Sequence, residues 1–154
     1  MAKFLQLGLL ASVLVAWPNC ESQSLPVSNA RMIELTADRD SRYRQGRRAS
    51  PVIEVFTNEP LILRITATRA HELARDGSIH GLALLDKDSK TVAGWSFFLH
   101  PGVQDLAVNA PDKPGRYTAV CTVICSEGHD GMEFTLLVSD ATSSSPTPSP
   151  KESR

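Results

Sequence analysis

An antiparallel β-sandwich is the fold this sequence predicts, and three observations predict it. Eight segments of five to eight residues alternate apolar and polar positions or carry β-branched side chains. Turn-forming residues separate them, as in Asn58-Glu59-Pro60, Asp86-Lys87-Asp88, His100-Pro101-Gly102 and Asp112-Lys113-Pro114-Gly115. No segment keeps a 3.6-residue period over a helix's length. The best helical candidate is short, around Ala70–Arg75.

The expected strands are Met32–Ala37, Pro51–Thr57, Leu61–Ala67, Ile79–Leu85, Val92–Leu99, Val103–Asn109, Arg116–Val120 and Glu133–Val138. Period-two alternation selects a core of Val52, Val55, Leu61, Leu63, Ile65, Leu82, Leu84, Phe97, Leu106, Val108, Tyr117, Val120, Phe134, Leu136 and Val138. Arg31 to Ser139 is 109 residues, enough for a hydrophobic core without covalent staples. Hydrophobic residues make up 42% and charged residues 21%, which excludes a disordered chain or a coiled coil. Sixteen basic residues against seventeen acidic ones leave a net charge of −1, so no bulk positive charge is present to bind nucleic acid. Three cysteines are too few for a disulfide scaffold.

The ends have a different character. Lys3 precedes an apolar run from Phe4 to Trp17, shorter than the roughly twenty residues of a membrane span. It reads as the apolar stretch of a secretory signal peptide over residues 1–24, cut after Ser22 or Ser24. Retention of Cys20 as a lipidated N-terminus, or of the whole run as an anchor, are the rival readings. Each puts the folded domain, residues 25–139, outside the cytoplasm, in a periplasmic or similar space, and attaches it to a membrane only if the N-terminus is kept or lipidated. Residues 140–154, rich in Ser, Thr and Pro, read as a disordered tail.

Arg39, Arg42, Arg44, Arg47 and Arg48 fall within ten residues. The segment reads as a solvated loop partly neutralised by Asp38 and Asp40, with a docking patch for an acidic partner as the sharper reading.

Chemistry concentrates in Cys121-Thr-Val-Ile-Cys125-Ser-Glu-Gly-His129-Asp-Gly-Met132, spaced Cys-x3-Cys-x3-His-x2-Met. Thiolate and thioether are soft donors and imidazole suits copper, whereas calcium and magnesium prefer oxygen. A strand ends near Cys121 and another begins near Met132, so the four groups lie on one connecting loop. So short a loop does not enclose a metal alone. Of the other histidines, His80 opens the strong strand His80–Leu85, and Gly81 beside it permits close backbone approach. His71 and His100 read as solvent or turn residues.

This spacing resembles the binuclear copper (CuA) motif of cytochrome c oxidase subunit II and of the CuA domain of nitrous oxide reductase. Asp112-Lys-Pro-Gly-Arg-Tyr117 before Cys121 looks like that family's approach to its first cysteine. His100-Pro101-Gly102, Ile79-His80-Gly81-Leu82 and Glu59-Pro60-Leu61 to Ala67 are similar to its preceding turn and strands. The likeness spans Met32 to Val138 and implies a cupredoxin-like Greek-key sandwich. It implies that Cys121 and Cys125 bridge two coppers and that His80 and His129 bind one each. Met132 would be a weak axial ligand on the His80 side, and the Val123 backbone carbonyl the weak ligand on the other copper. Val123 stands where the family usually has Glu, Ser126 where it has Gly, and Ser78 where it has Asp. The paired transmembrane helices of the oxidase subunit are missing, which points to a free-standing or singly anchored domain. Apolar neighbours such as Ile124 are expected to shield the centre.

The resemblance therefore implies a one-electron carrier with two coppers, not an enzyme, whose partner is a c-type cytochrome or another redox protein. Three alternatives stay open. A mononuclear type 1 copper site would use Cys125, His129, Met132 and His80. A copper chaperone or store would use the same ligands with a delivery partner. A structural role would place a disulfide between Cys121 and Cys125, or zinc on the Cys2His2 set. An enzyme is the weakest reading, since no triad order, phosphate loop or carboxylate pair stands out.

Overall fold

Ten strands form in the computed structural model, which describes residues 29–69 and 74–140. They are β1 (Arg31–Ala37), β2 (Tyr43–Gln45), β3 (Arg48–Ala49), β4 (Val52–Phe56), β5 (Pro60–Ala67), β6 (His80–Leu85), β7 (Thr91–Leu99), β8 (Gly102–Asn109), β9 (Gly115–Val120) and β10 (Glu133–Ser139). All eight expected strands are present within a residue or two of their expected ends. The signal-peptide segment, His71 and residues 141–154 of the tail lie outside the described residues. So do residues 70–73 of the expected helix, while Ala74 and Arg75 enter a turn in which the Gly77 amide donates to the Ala74 carbonyl at 3.0 Å. No helix among the described residues is long and apolar enough to cross a membrane.

The strands make two five-stranded sheets, ordered β3-β2-β1-β5-β8 and β4-β10-β9-β6-β7. The sandwich stands as expected, but its sheets are mixed. β1 pairs parallel to β5, Arg31 opposite Leu61, and β10 pairs parallel to β4, Thr135 opposite Val52. Parallel neighbours need a long crossover, and the chain between β1 and β5 supplies one through β2, β3 and β4. Alternation marks which face of a strand is buried and not which way its neighbour runs.

Ile33, Leu35 and Ala37 of β1 face Ile53 and Val55 of β4, Leu61, Leu63 and Ile65 of β5, Leu82 and Leu84 of β6, and Phe134, Leu136 and Val138 of β10 in a single core. Five expected core residues depart from this. Val52 is 44% exposed because Ile53 and Val55 hold the inward phase of β4, Val120 is half-buried, and Phe97, Leu106 and Val108 are partly buried and pack against the core from its edge. The Trp95 indole N–H, donating to the Asn109 carbonyl at 2.8 Å, ties β7 of one sheet to β8 of the other.

The arginine-rich segment is not simply a solvated loop. β2 and β3 form inside it and extend the first sheet. Ser41 and Tyr43 are buried, while Arg42 between them is exposed and Arg44 pairs with Asp38. The period-two signal was present but masked by the arginine side chains. Tyr43 packs edge-on against Phe134, with ring centroids 5.3 Å apart at 88°, an arrangement that contributes beyond its buried area.

β6 is the strand that carries His80, and it is buried on both faces from His80 to Leu84. Its antiparallel register with β9 pairs Ala83 with Val120. Carried two residues onward, that register puts Gly81 across from Thr122. A Cβ on Gly81 would stand 2.1 Å from Thr122 Oγ1 and 3.0 Å from the Thr122 backbone nitrogen. Gly81→Ala is therefore expected to cost about 1–3 kcal/mol of stability, the usual range for overpacking. Urea unfolding checks this, and adding Thr122→Ala is expected to recover part of the loss, since it removes the hydroxyl conflict but not the backbone one.

Candidate metal centre

The loop from Cys121 to Met132 joins β9 to β10 and is closed at its base by the Cys121 amide donating to the Met132 carbonyl at 3.0 Å. Cys125 and Met132 are fully buried and Cys121 nearly so. A single 3-10 turn, His129–Gly131, brings the chain back to β10. His80 arrives from the other side, at the start of β6, sharing the inward face of Leu82 and Leu84.

These elements bring three ligand groups together. A ring nitrogen of His80 and the sulfurs of Cys121 and Cys125 all lie within 4.8 Å of one another. The two sulfurs are 3.9 Å apart and not bonded to each other, so the disulfide alternative does not describe this arrangement. Two sulfurs each about 2.3 Å from a shared metal leave a gap of roughly this size. His129 is not part of that close group, and its side chain is 24% exposed. The Cys121 thiol donates to the Val123 carbonyl at 3.2 Å, which puts that oxygen beside the sulfur pair. Ile124, expected to shield the site, is 68% exposed; it points outward between the two cysteines, and burial of the sulfurs comes from the strands instead.

The two imidazoles share a pattern. His80 Nε2 lies 3.0 Å from the Thr68 carbonyl, and His129 Nε2 lies 3.1 Å from an Asp130 carboxylate oxygen. Among the described residues, Nδ1 of each ring is buried with no hydrogen-bond partner. A buried unpartnered ring nitrogen is costly. An Nε2–H anchored to a carbonyl leaves the Nδ1 lone pair free, which is the form a metal-binding histidine takes. Burial lowers the His80 pKa, against smaller raising effects from the Thr68 carbonyl and Asp38, so the ring is kept neutral and able to ligate.

Residues the motif does not contain complete the surroundings. The Gly81 amide donates to Cys121 Sγ at 3.4 Å. The Tyr43 hydroxyl donates to the Gly81 carbonyl, so β2 holds the same residue whose amide meets that sulfur. Ser41 Oγ lies 3.4 Å from Cys125 Sγ. Neither Ser41 nor Tyr43 is visible as a site residue in the sequence. The one signal is the alternation Ser41-Arg42-Tyr43-Arg44, which is strand-like where a solvated loop is expected.

No protein-family model matches this sequence, and no curated protein matches it. Solved structures do. Auracyanin B is similar at a TM-score of 0.52 and 19% identity, over 75% of this chain and 93% of its own. The copper protein rusticyanin is similar at a TM-score of 0.50 and 13% identity, over 71% of this chain and 79% of its own. The fold is cupredoxin-like. At these identities the likeness carries the architecture, and the site rests on its own geometry.

Burial pushes the Cys121 thiol up from 9.0 to about 11, with a smaller raising effect from Cys125 and lowering by the Gly81 and Val123 hydrogen bonds. A raised thiol pKa means that the folded state holds its proton more tightly. The corresponding stability is fully present below pH 9 and is lost as pH climbs through 11. Tyr43, also raised by burial, adds a loss in the same sense from pH 10 upward. The urea midpoint of the metal-free protein is expected to stay level between pH 7 and 8 and fall between 9 and 11, less steeply in Cys121→Ala. An equal slope in both proteins would remove Cys121 as the cause.

Proposed function

We propose that this chain is an exported copper-binding electron carrier in which Cys121 and Cys125 would be the thiolates that hold a binuclear, CuA-like copper centre. His80 and His129 supply one nitrogen each in this reading, and Met132 and the Val123 carbonyl are the weak ligands. The observation that carries it is the sulfur pair: two buried, unbonded cysteine sulfurs 3.9 Å apart with a histidine nitrogen within 4.8 Å of both. Two unpartnered Nδ1 atoms, one on each imidazole, fit the same donor set. Copper bound there would supply a one-electron couple delocalised over metal and sulfur.

The chain's own residues do the rest. The β-sandwich holds the His80 strand and the cysteine loop at fixed separation, so that little geometry changes when an electron enters or leaves. Burial of Cys125, Met132 and His80 keeps water from the donors. The same burial favours retention over hand-off of the metal, and so an electron carrier over a copper chaperone or store. A c-type cytochrome or a comparable redox protein is the partner class this reading carries, met in an extracytoplasmic space.

One observation favours the mononuclear type 1 alternative. In the metal-free protein the Cys121 thiol donates to the Val123 carbonyl at 3.2 Å, and burial raises its pKa. Cys121 would then be a spectator beside copper held by Cys125, His129, Met132 and His80. Zinc remains the metal of the structural alternative, and it needs no Met132.

Copper loading followed by metal analysis and electron paramagnetic resonance separates these readings. Two coppers per chain with hyperfine coupling to both are expected. Cys121→Ser is expected to abolish that signal, and a signal that survives it with coupling to one copper would establish the mononuclear site. Met132→Leu is expected to shift the midpoint potential while copper stays bound through dialysis, because a thioether would be a weak ligand that contributes little affinity. Loss of the metal in that variant would contradict the weak-ligand role.

A further inference from the structure

Ser41 is an odd residue for its place. It sits in the left-handed backbone region at φ 55°, where glycine or asparagine is at lower cost, and it is 1% exposed. Its hydroxyl makes two contacts, 3.4 Å to Cys125 Sγ and 2.6 Å to Ser126 Oγ. Ser126 Oγ in turn accepts the Gly128 amide at 3.1 Å. Ser126 is also one of the positions at which the chain departs from the glycine of the CuA pattern.

The direction of this chain of hydrogen bonds follows from its ends. The Gly128 amide donates and does nothing else. A Cys125 thiolate accepts and does nothing else. Between them each hydroxyl has one proton to give, so Ser126 donates to Ser41 and Ser41 donates to the sulfur. All three dipoles then point their positive ends towards Cys125, and aligned hydrogen bonds strengthen one another.

We propose that Ser41 and Ser126 form a polarised hydroxyl relay that stabilises the Cys125 thiolate as a ligand and raises the reduction potential of the centre. The proposal rests on the copper reading above. A donor aimed at sulfur withdraws charge that the oxidised metal needs more than the reduced one, so the relay favours the reduced state. It also gives the turn that starts the arginine-rich hairpin a function: the turn seals the loop and touches its second sulfur directly.

The test compares the copper-loaded parent with Ser41→Ala, Ser41→Gly and Ser126→Ala, reading midpoint potential and the sulfur-to-copper charge-transfer bands. Thermal unfolding of the metal-free forms is read alongside. Both Ser41 variants are expected to shift the one-electron equilibrium about tenfold towards the oxidised form, about 59 mV, with the bands at longer wavelength. Ser126→Ala is expected to move both in the same direction by less. Stability is expected to split the Ser41 pair, glycine above alanine, because only glycine is at ease at that φ. If the one-electron equilibrium stays within twofold of the parent while unfolding temperatures move, Ser41 is a turn residue alone and the relay is overturned. If Ser41→Ala does not fold, Ser41→Gly decides the question by itself. A parent that binds no copper overturns the copper reading and the relay together, whereas a loaded parent with unmoved variants overturns the relay only.

Discussion

Two cysteine sulfurs held 3.9 Å apart inside a β-sandwich, unbonded to each other, impose a requirement on everything around them. As thiols they are small and polarisable and sit comfortably among apolar neighbours. As thiolates they are charges in a place where charge is expensive, and burial opposes that change at Cys121. What offsets the cost is on hand: the Gly81 amide at one sulfur and the Ser41 hydroxyl at the other, with a ring nitrogen of His80 near both as a further donor to a metal. A soft cation completes such a set, and its binding would release the thiol protons.

The topology explains why these groups meet although forty residues separate His80 from the loop. β6 lies beside β9, so the strand that begins at His80 runs alongside the chain just as it leaves the sheet at Cys121. The absence of a side chain at Gly81 lets the two backbones close to contact at Thr122. β9 and β10 are hairpin partners, and their register, Val120 opposite Glu133, returns Met132 to the side of Cys121. The hairpin of β2 and β3 closes the remaining side, with Tyr43 wedged against Phe134 and hydrogen-bonded to the Gly81 carbonyl.

Much of this was legible in the residues. Alternation located eight strands because each presents one face to the core, and the spacing from Cys121 to Met132 pointed to the loop from which Cys121 and Cys125 join His80 in one close group. His80 was legible through its position at the head of an apolar strand beside a glycine. Parallel pairing was not, since side-chain periodicity is blind to strand direction. Ile124 was misjudged because apolarity alone does not say which way a loop residue faces. Ser41 and Tyr43 were hidden for a different reason: their neighbours are long, charged and exposed, so a buried alternation of one hydroxyl and one phenol reads as part of a solvated stretch. Contacts that come from the far side of a fold leave no mark on the motif they serve.

Copper K-edge X-ray absorption on the loaded protein tests the central claim most directly, since it reads the atoms around the metal without reference to a partner. The account predicts two sulfur neighbours and one nitrogen neighbour for each copper, with a second copper in the adjacent shell. A single sulfur per copper with no metal neighbour would contradict it.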